Sequence, residues 1–214
     1  MSRFRLGGRP RRHWPLMLLL SGVFLMSYGG YMQAKAFLAQ YLIASAWEQS
    51  LKDGLPHKPW GWADTYPIAS LTLRREGENS ESFYILAGAN GRNLAFAPSW
   101  LEETAAPGAG GNTVIAGHRD THFAILRELA PGDELVLENM RGEVQQYRVK
   151  YTSVVSEREL SVLEQVTDRL TLITCYPFYG LSDRADERFV VVAEPDELWG
   201  RPDTVAKAMV VSLR

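Results

Sequence analysis

The chain has one cysteine, no acidic residue before Glu48, and no charge of either sign from Trp14 to Ala34. Each absence excludes something. A single thiol cannot form an internal disulfide, so any exported domain built from this chain must rest on its hydrophobic core. Residues 60–200 are numerous enough for one such core. The missing acids leave Arg3, Arg5, Arg9, Arg11 and Arg12 unopposed at the N-terminus. The sequence also lacks internal repeats, low-complexity tracts and a Gly-x-Gly-x-x-Gly phosphate loop. His118 and His122 stand four apart as zinc ligands on a helix can, but the glutamate of His-Glu-x-x-His is missing. His118-Arg119-Asp120 spells a kinase triplet with no downstream Asp-Phe-Gly to accompany it. No cofactor and no metal are expected.

The uncharged stretch Trp14–Ala34 has the length of a bilayer-spanning helix, which needs about 20 apolar residues. Basic residues stay on the cytoplasmic side, so the bulk of the chain is expected across the membrane. The competing reading is a cleaved signal peptide with Ala34-Lys35-Ala36 as a crude cleavage site. The long apolar run and the lysine favour a retained signal-anchor. All 25 acidic residues follow the span, with 18 of the 23 Lys and Arg, so the part beyond it carries about −7 against +5 before it. An acidic ectodomain argues against nucleic acid as a partner, and the arginine tail is suited to anionic lipid.

These features predict five segments: a basic tail over residues 1–13, an anchor over 14–34, a juxtamembrane helix and linker over 35–65, a β-barrel over 66–195, and a tail over 196–214. The helix leaving the membrane is expected over Gln33–Lys52, ended by Asp53-Gly54. In Trp60-Gly61-Trp62 the two indoles read as a cap over the domain in preference to interfacial anchors. Strands are expected at Ile68–Leu73, Phe83–Leu86, Leu94–Phe96, Thr113–Ala116, Glu134–Leu137, Val144–Val155, Leu170–Thr174 and Phe189–Ala193. Short helices are expected at Thr121–Leu129 and Glu157–Gln165. Eight short strands separated by turn signals predict a mainly β, closed eight-stranded barrel with short helices.

The lone Cys175 ends one of these strands, before Tyr176-Pro177. A free cysteine usually behaves as a small buried hydrophobe. An unpaired thiol in an oxidising compartment is a liability, however, which favours a chemical role. Gly117-His118 ends another strand and Arg188 opens a third. A thiolate needs a base or cation beside it, and a tetrahedral oxyanion needs donors. Cysteine, histidine and arginine on one barrel rim supply these without a metal. Asp120 is open to two readings, orienting His118 or capping the helix near Thr121.

Thr171-Leu172-Ile173-Thr174-Cys175 resembles the TLxTC signature of the sortase family. Ala116-Gly117-His118-Arg119-Asp120 resembles that family's histidine segment, and Arg188 precedes a hydrophobic strand as the family's arginine does. The order matches, with 57 positions from His118 to Cys175 and 13 from Cys175 to Arg188. The resemblance covers residues 66–195. Cys-Tyr-Pro-Phe and the Trp-rich lead-in from Pro59 are most like sortases of Gram-negative, often marine, proteobacteria. Arg184 is the rival for the arginine role, but Ala185-Asp186-Glu187 follows it, not a strand.

The resemblance implies a membrane-anchored cysteine transpeptidase acting on a protein with a C-terminal LPXTG-like sorting signal. Cys175 would attack the Thr–Gly carbonyl, His118 would exchange protons with the departing and incoming amines, and Arg188 would hold the substrate backbone and oxyanion. Thr174 and the backbone near it would add a substrate-binding donor. An amine acceptor would resolve the thioacyl-enzyme. A cysteine hydrolase without productive transfer is the alternative on the same barrel, and a catalytically silent peptide-binding barrel is a third. The segment Val155–Arg169 is the expected specificity loop.

Overall fold

The computed structural model describes residues 13–75, 77–165, 167–179 and 185–196. The basic tail over residues 1–12, Arg184 and the chain after Asp196 lie outside them. One helix, α1, runs from Trp14 to Asp53, so the expected anchor and the helix after it are continuous. The chain divides into two compact units, with the boundary between Tyr41 and Leu42.

In the first unit α1 presents apolar side chains on every face. Leu19, Phe24, Met26 and Phe37 are all well exposed. A helix hydrophobic all round has no preferred side to bury in water, which is the pattern of a membrane span. This one is long and apolar enough to cross a membrane.

In the second unit the end of α1 is one-sided. Ile43, Ala46, Trp47 and Ser50 are buried at i, i+3, i+4, i+7 spacing. Ile43 packs with Leu86 and Ala97, flanked by Trp60, Tyr84 and Phe96. Trp60 meets Phe96 edge-on at 5.2 Å, whereas Trp62 is 86% exposed. Only the first of the two indoles therefore caps the domain.

Eight strands close the barrel: β1 Pro67–Arg74, β2 Glu81–Ala87, β3 Ser99–Trp100, β4 Asn112–Gly117, β5 Glu134–Asn139, β6 Val144–Ser156, β7 Arg169–Tyr176 and β8 Glu187–Pro195. Their order around it is β1-β2-β3-β4-β7-β8-β6-β5. Closure leaves no open sheet edge. Period-two alternation sends Leu71, Leu73, Ile85, Ile115, Leu135, Leu137, Leu170, Leu172, Val191 and Ala193 into a common core.

Two expected elements differ. Leu94–Phe96 is not a strand: Asn90 Oδ1 accepts from the amides of Arg92 and Asn93 and starts a short helix, α2, Gly91–Leu94, which moves the strand to Ser99–Trp100. The helix expected over Glu157–Gln165 shrinks to a single 3-10 turn, Ser161–Leu163. Its carbonyls are used elsewhere, because Asn112 Nδ2 donates to Val162 and Glu164 at 2.8 and 3.2 Å. The helix expected near Thr121 is present as a 3-10 helix, His122–Glu128, interrupted by non-helical dihedrals at Phe123.

That helix is seated by Phe123, which is fully buried under the end of β4. A Cβ added at Gly117 would lie 2.6 Å from the Phe123 ring, inside van der Waals contact. Glycine is needed there for space. Gly117→Ala should cost about 1–3 kcal/mol, the usual penalty for overpacking a filled site. Denaturant unfolding should show a lower midpoint, and a parental midpoint would show that the ring has room to move.

Candidate active site

Three strands form the floor of the site. β4 and β7 run parallel, with Ile115 opposite Leu172, Ala116 opposite Ile173 and Gly117 opposite Thr174. β8 runs antiparallel to β7, with Cys175 opposite Arg188 and Ile173 opposite Val190. β6 continues the sheet, placing Val155 opposite Arg188 and Ser153 opposite Val190. Residues in one cross-strand row share a face. Leu170, Leu172 and Thr174 point into the barrel, so alternation sends Thr171, Ile173 and Cys175 outward. One outer row is Cys175–Arg188–Val155, and the next is Ala116–Ile173–Val190–Ser153.

Part of this outer face is roofed. The segment between β6 and β7 is laced to the start of β4 by a polar network centred on the buried Asn112. Asn112 Nδ2 holds the Val162 and Glu164 carbonyls, and Asn112 Oδ1 accepts from the Thr171 hydroxyl at 2.7 Å. Gln165 Oε1 accepts from the amides of Asn112 and Ala105 at 3.1 and 3.3 Å. The buried Asn112 and Thr171 side chains thereby have partners, as burial requires. Toward the Cys175 end the roof stops: Ala116, Ile173 and Cys175 are only partly buried. The outer wall is thus covered at its Asn112 end and more open at its Cys175 end.

His118 follows the last residue of β4 and is exposed. Its carbonyl accepts from the amides of Thr121 and Phe123, forming a turn that stops the strand. Because Gly117 is opposite Thr174, His118 and Cys175 are the residues that directly follow the last β4–β7 row on the two parallel strands. Two of the expected site residues thus end adjacent strands, and the third, Arg188, is the direct cross-strand partner of Cys175.

The Arg188 guanidinium is already engaged. Nη1 donates to the carbonyls of Ala185 at 2.6 Å and Glu187 at 3.0 Å, and Nη2 meets Glu157 Oε2 at 3.3 Å. Glu157 is the carboxylate that faces Arg188, a pairing across 31 positions that spacing in the sequence does not reveal. The Glu157 amide in turn donates to the Asp186 carbonyl. Thr174 lies on the inner face, 2% exposed, with its hydroxyl donating to the Gly117 carbonyl at 2.7 Å. It ties β4 to β7 directly beneath the site.

Beyond Cys175 an aromatic cluster supports the chain. Tyr176 stacks on Phe189 at 6.4 Å, and Phe178 meets Phe189 edge-on at 5.1 Å. On the other flank, His122 is pressed edge-on against Phe83 at 6.2 Å. Burial lowers the His122 pKa, and the nearby positive charge of protonated His118 lowers it further. Asp120 is exposed and lies 3.6 Å from Arg119 Nε. The helix after it begins from Thr121 with no side-chain cap.

Comparison with known proteins agrees with this geometry. Residues 78–196 match the family model described as the sortase domain. The chain is 25% identical to sortase D of Bacillus subtilis (strain 168) over 196 residues, covering 83% of this chain and 94% of that protein. Among solved structures it is similar to sortase A from Corynebacterium diphtheriae, with TM-score 0.55 and 26% identity over 66% of each chain. It also shares its fold with a Clostridium perfringens sortase D5 transpeptidase, with TM-score 0.55 and 24% identity over 70% of this chain and 88% of that one. The family match spans more than half of the sequence and includes the strands that carry His118, Cys175 and Arg188: this chain belongs to the sortase family of cysteine transpeptidases.

Proposed function

We propose that this sortase is anchored by the Trp14–Ala34 part of α1 and cleaves an LPXTG-like sorting signal between Thr and Gly. Its tail of arginines is cytoplasmic and its barrel faces the far side of the inner membrane. The observation that carries the reading is the cross-strand pairing of Cys175 with Arg188, with His118 leaving the adjacent strand beside them. The Cys-Tyr-Pro-Phe run and the Trp-rich lead-in further support a Gram-negative, marine-type relative.

The chemistry follows from the groups present. The Cys175 thiolate attacks the scissile carbonyl carbon, forming a C–S bond, and Arg188 donates to the oxyanion that develops. As the tetrahedral species collapses the C–N bond breaks, and His118 gives its proton to the departing amine. An incoming amine then attacks the thioester carbonyl and surrenders a proton to His118; the C–S bond breaks and the sulfur leaves as the thiolate, which restores the starting pair. Arg188 must exchange part of its present bonding with Ala185, Glu187 and Glu157 for the substrate. The Thr174 hydroxyl is committed to Gly117, so its part is to fix the β4–β7 register, and any contact with the peptide comes through its backbone. The segment between β6 and β7, which roofs part of the outer wall, receives the peptide ahead of the scissile bond.

The test is turnover of a labelled sorting peptide by the full-length protein in detergent, with and without an amine acceptor. Transfer predicts an amine-linked product as the main species when acceptor is present, and slow hydrolysis when it is absent. Equal turnover with and without acceptor, and no linked product, would instead establish the hydrolase reading. No cleavage of any such peptide would leave only a peptide-binding barrel.

A further inference from the structure

Arg119 follows His118 directly, yet its side chain is only 10% exposed, with Nε 3.6 Å from Asp120 Oδ1. Its Nη1 donates to the Pro177 carbonyl at 2.9 Å, across 58 positions of sequence. Pro177 stands two residues after Cys175. A guanidinium is costly to bury and is retained inside a fold where its hydrogen bonds compensate. What this one joins is specific: the turn that carries His118 and the loop that carries the chain away from Cys175.

The need for such a tie follows from the ladder. The β4–β7 pairing ends at Gly117 opposite Thr174. Past that row no strand pairing among the described residues holds the His118 side of the site to the Cys175 side. Below the reacting pair the strands are fastened by the Thr174 hydroxyl on the Gly117 carbonyl. Above it they are fastened by Arg119 on Pro177. The two side-chain bonds bracket the gap between His118 and Cys175.

We infer that Arg119 is a positioning residue, setting the spacing and orientation of His118 against Cys175 through its bond to the Pro177 carbonyl. It touches neither the scissile carbonyl nor the oxyanion. The inference rests on the proposed roles of His118 and Cys175, and it goes beyond them by assigning the residue that holds the two loops together. Proton transfer and nucleophilic attack depend steeply on placement, and a displacement of about 1 Å can cost roughly 100-fold in rate.

The experiment compares the full-length parent with Arg119→Met, which keeps the length and apolar stem but has no donor, and Arg119→Lys, which keeps one donor. Measured are kcat and KM for a labelled sorting peptide, the alkylation rate of Cys175 by iodoacetamide, and Tm. Arg119→Met should lose about 10-fold to 100-fold in kcat with KM within about twofold, and Cys175 should alkylate more slowly at unchanged Tm. Arg119→Lys should recover most of kcat and of the alkylation rate. A methionine variant with parental kcat overturns the inference. So does a folded lysine variant as impaired as the methionine one. If Arg119→Met does not fold, the lysine variant decides alone: near-parental kcat supports the tie, and a tenfold loss in a folded protein overturns it. If the parent itself turns over no peptide, the functional reading has failed, and the alkylation rates still decide the positional claim.

Discussion

Cys175→Ser is expected to abolish peptide cleavage while leaving the barrel folded. The sulfur is the only thiol in the chain, and no other described residue stands in both the Arg188 row and the position beside His118. A hydroxyl at this site is a far weaker nucleophile at neutral pH than a thiolate, and removing the nucleophile of a catalytic unit collapses its contribution almost entirely. The loss should be on the order of 10³-fold or more in kcat. The structural cost should be small. Cys175 is only partly buried and lies outside the set of apolar side chains that fill the barrel, so its exchange should shift stability by about 0.5 kcal/mol or less. Turnover and thermal unfolding measured on the same preparation check both halves. An unfolded serine variant would make Cys175 a packing residue, and an active one would place the nucleophile elsewhere.

Arg188→Ala should remove an oxyanion donor and cost about 10²–10³ in kcat, or about 3–4 kcal/mol of transition-state stabilisation. Arg188→Lys should not restore it. In the structure Arg188 uses two separate nitrogens at once, Nη1 on backbone carbonyls and Nη2 on Glu157, and this split engagement fixes the guanidinium plane. An ammonium concentrates its donors at one point and cannot hold that plane while reaching the substrate. Steady-state kinetics of the two variants decide the matter. A lysine variant near the parental rate would show that charge alone suffices and that the two-point role is mistaken. The Glu157 contact contributes little to stability by itself, because it is long and partly exposed. Its effect is on where the guanidinium rests before substrate arrives.

The barrel was readable because its strands are short apolar runs bounded by glycine and proline, and Cys175 was legible as the residue that ends one of them. What local patterns could not show was decided by distant side chains. Leu94–Phe96 has strand-like composition, but the Asn90 side chain captures two amides and bends the chain into a turn of helix first. Residues 157–165 have helical composition, yet Asn112, about fifty positions earlier, takes the carbonyls that a helix would use. Neither partner is visible in a sequence window. The candidate site shows the same division. Cys175, His118 and Arg188 stand out by residue type at strand ends. Glu157 and Arg119 act through contacts that exist only once the barrel closes, and their ordinary residue types in charged surroundings carry no local signal. Thr174 had the right neighbourhood and the opposite side: a one-residue step along β7 turns its hydroxyl from the outer face to the Gly117 carbonyl.

The central claim is that Cys175 carries the acyl group. It is tested most directly by intact-mass measurement of the full-length protein after brief incubation with an LPXTG-like peptide and no acceptor amine. The account predicts a mass increase equal to the peptide's acyl portion through its threonine, located on Cys175 by peptide mapping, discharged by hydroxylamine, and absent in Cys175→Ala. An adduct that persists in Cys175→Ala, or peptide cleavage by the parent without any adduct at Cys175, would contradict it.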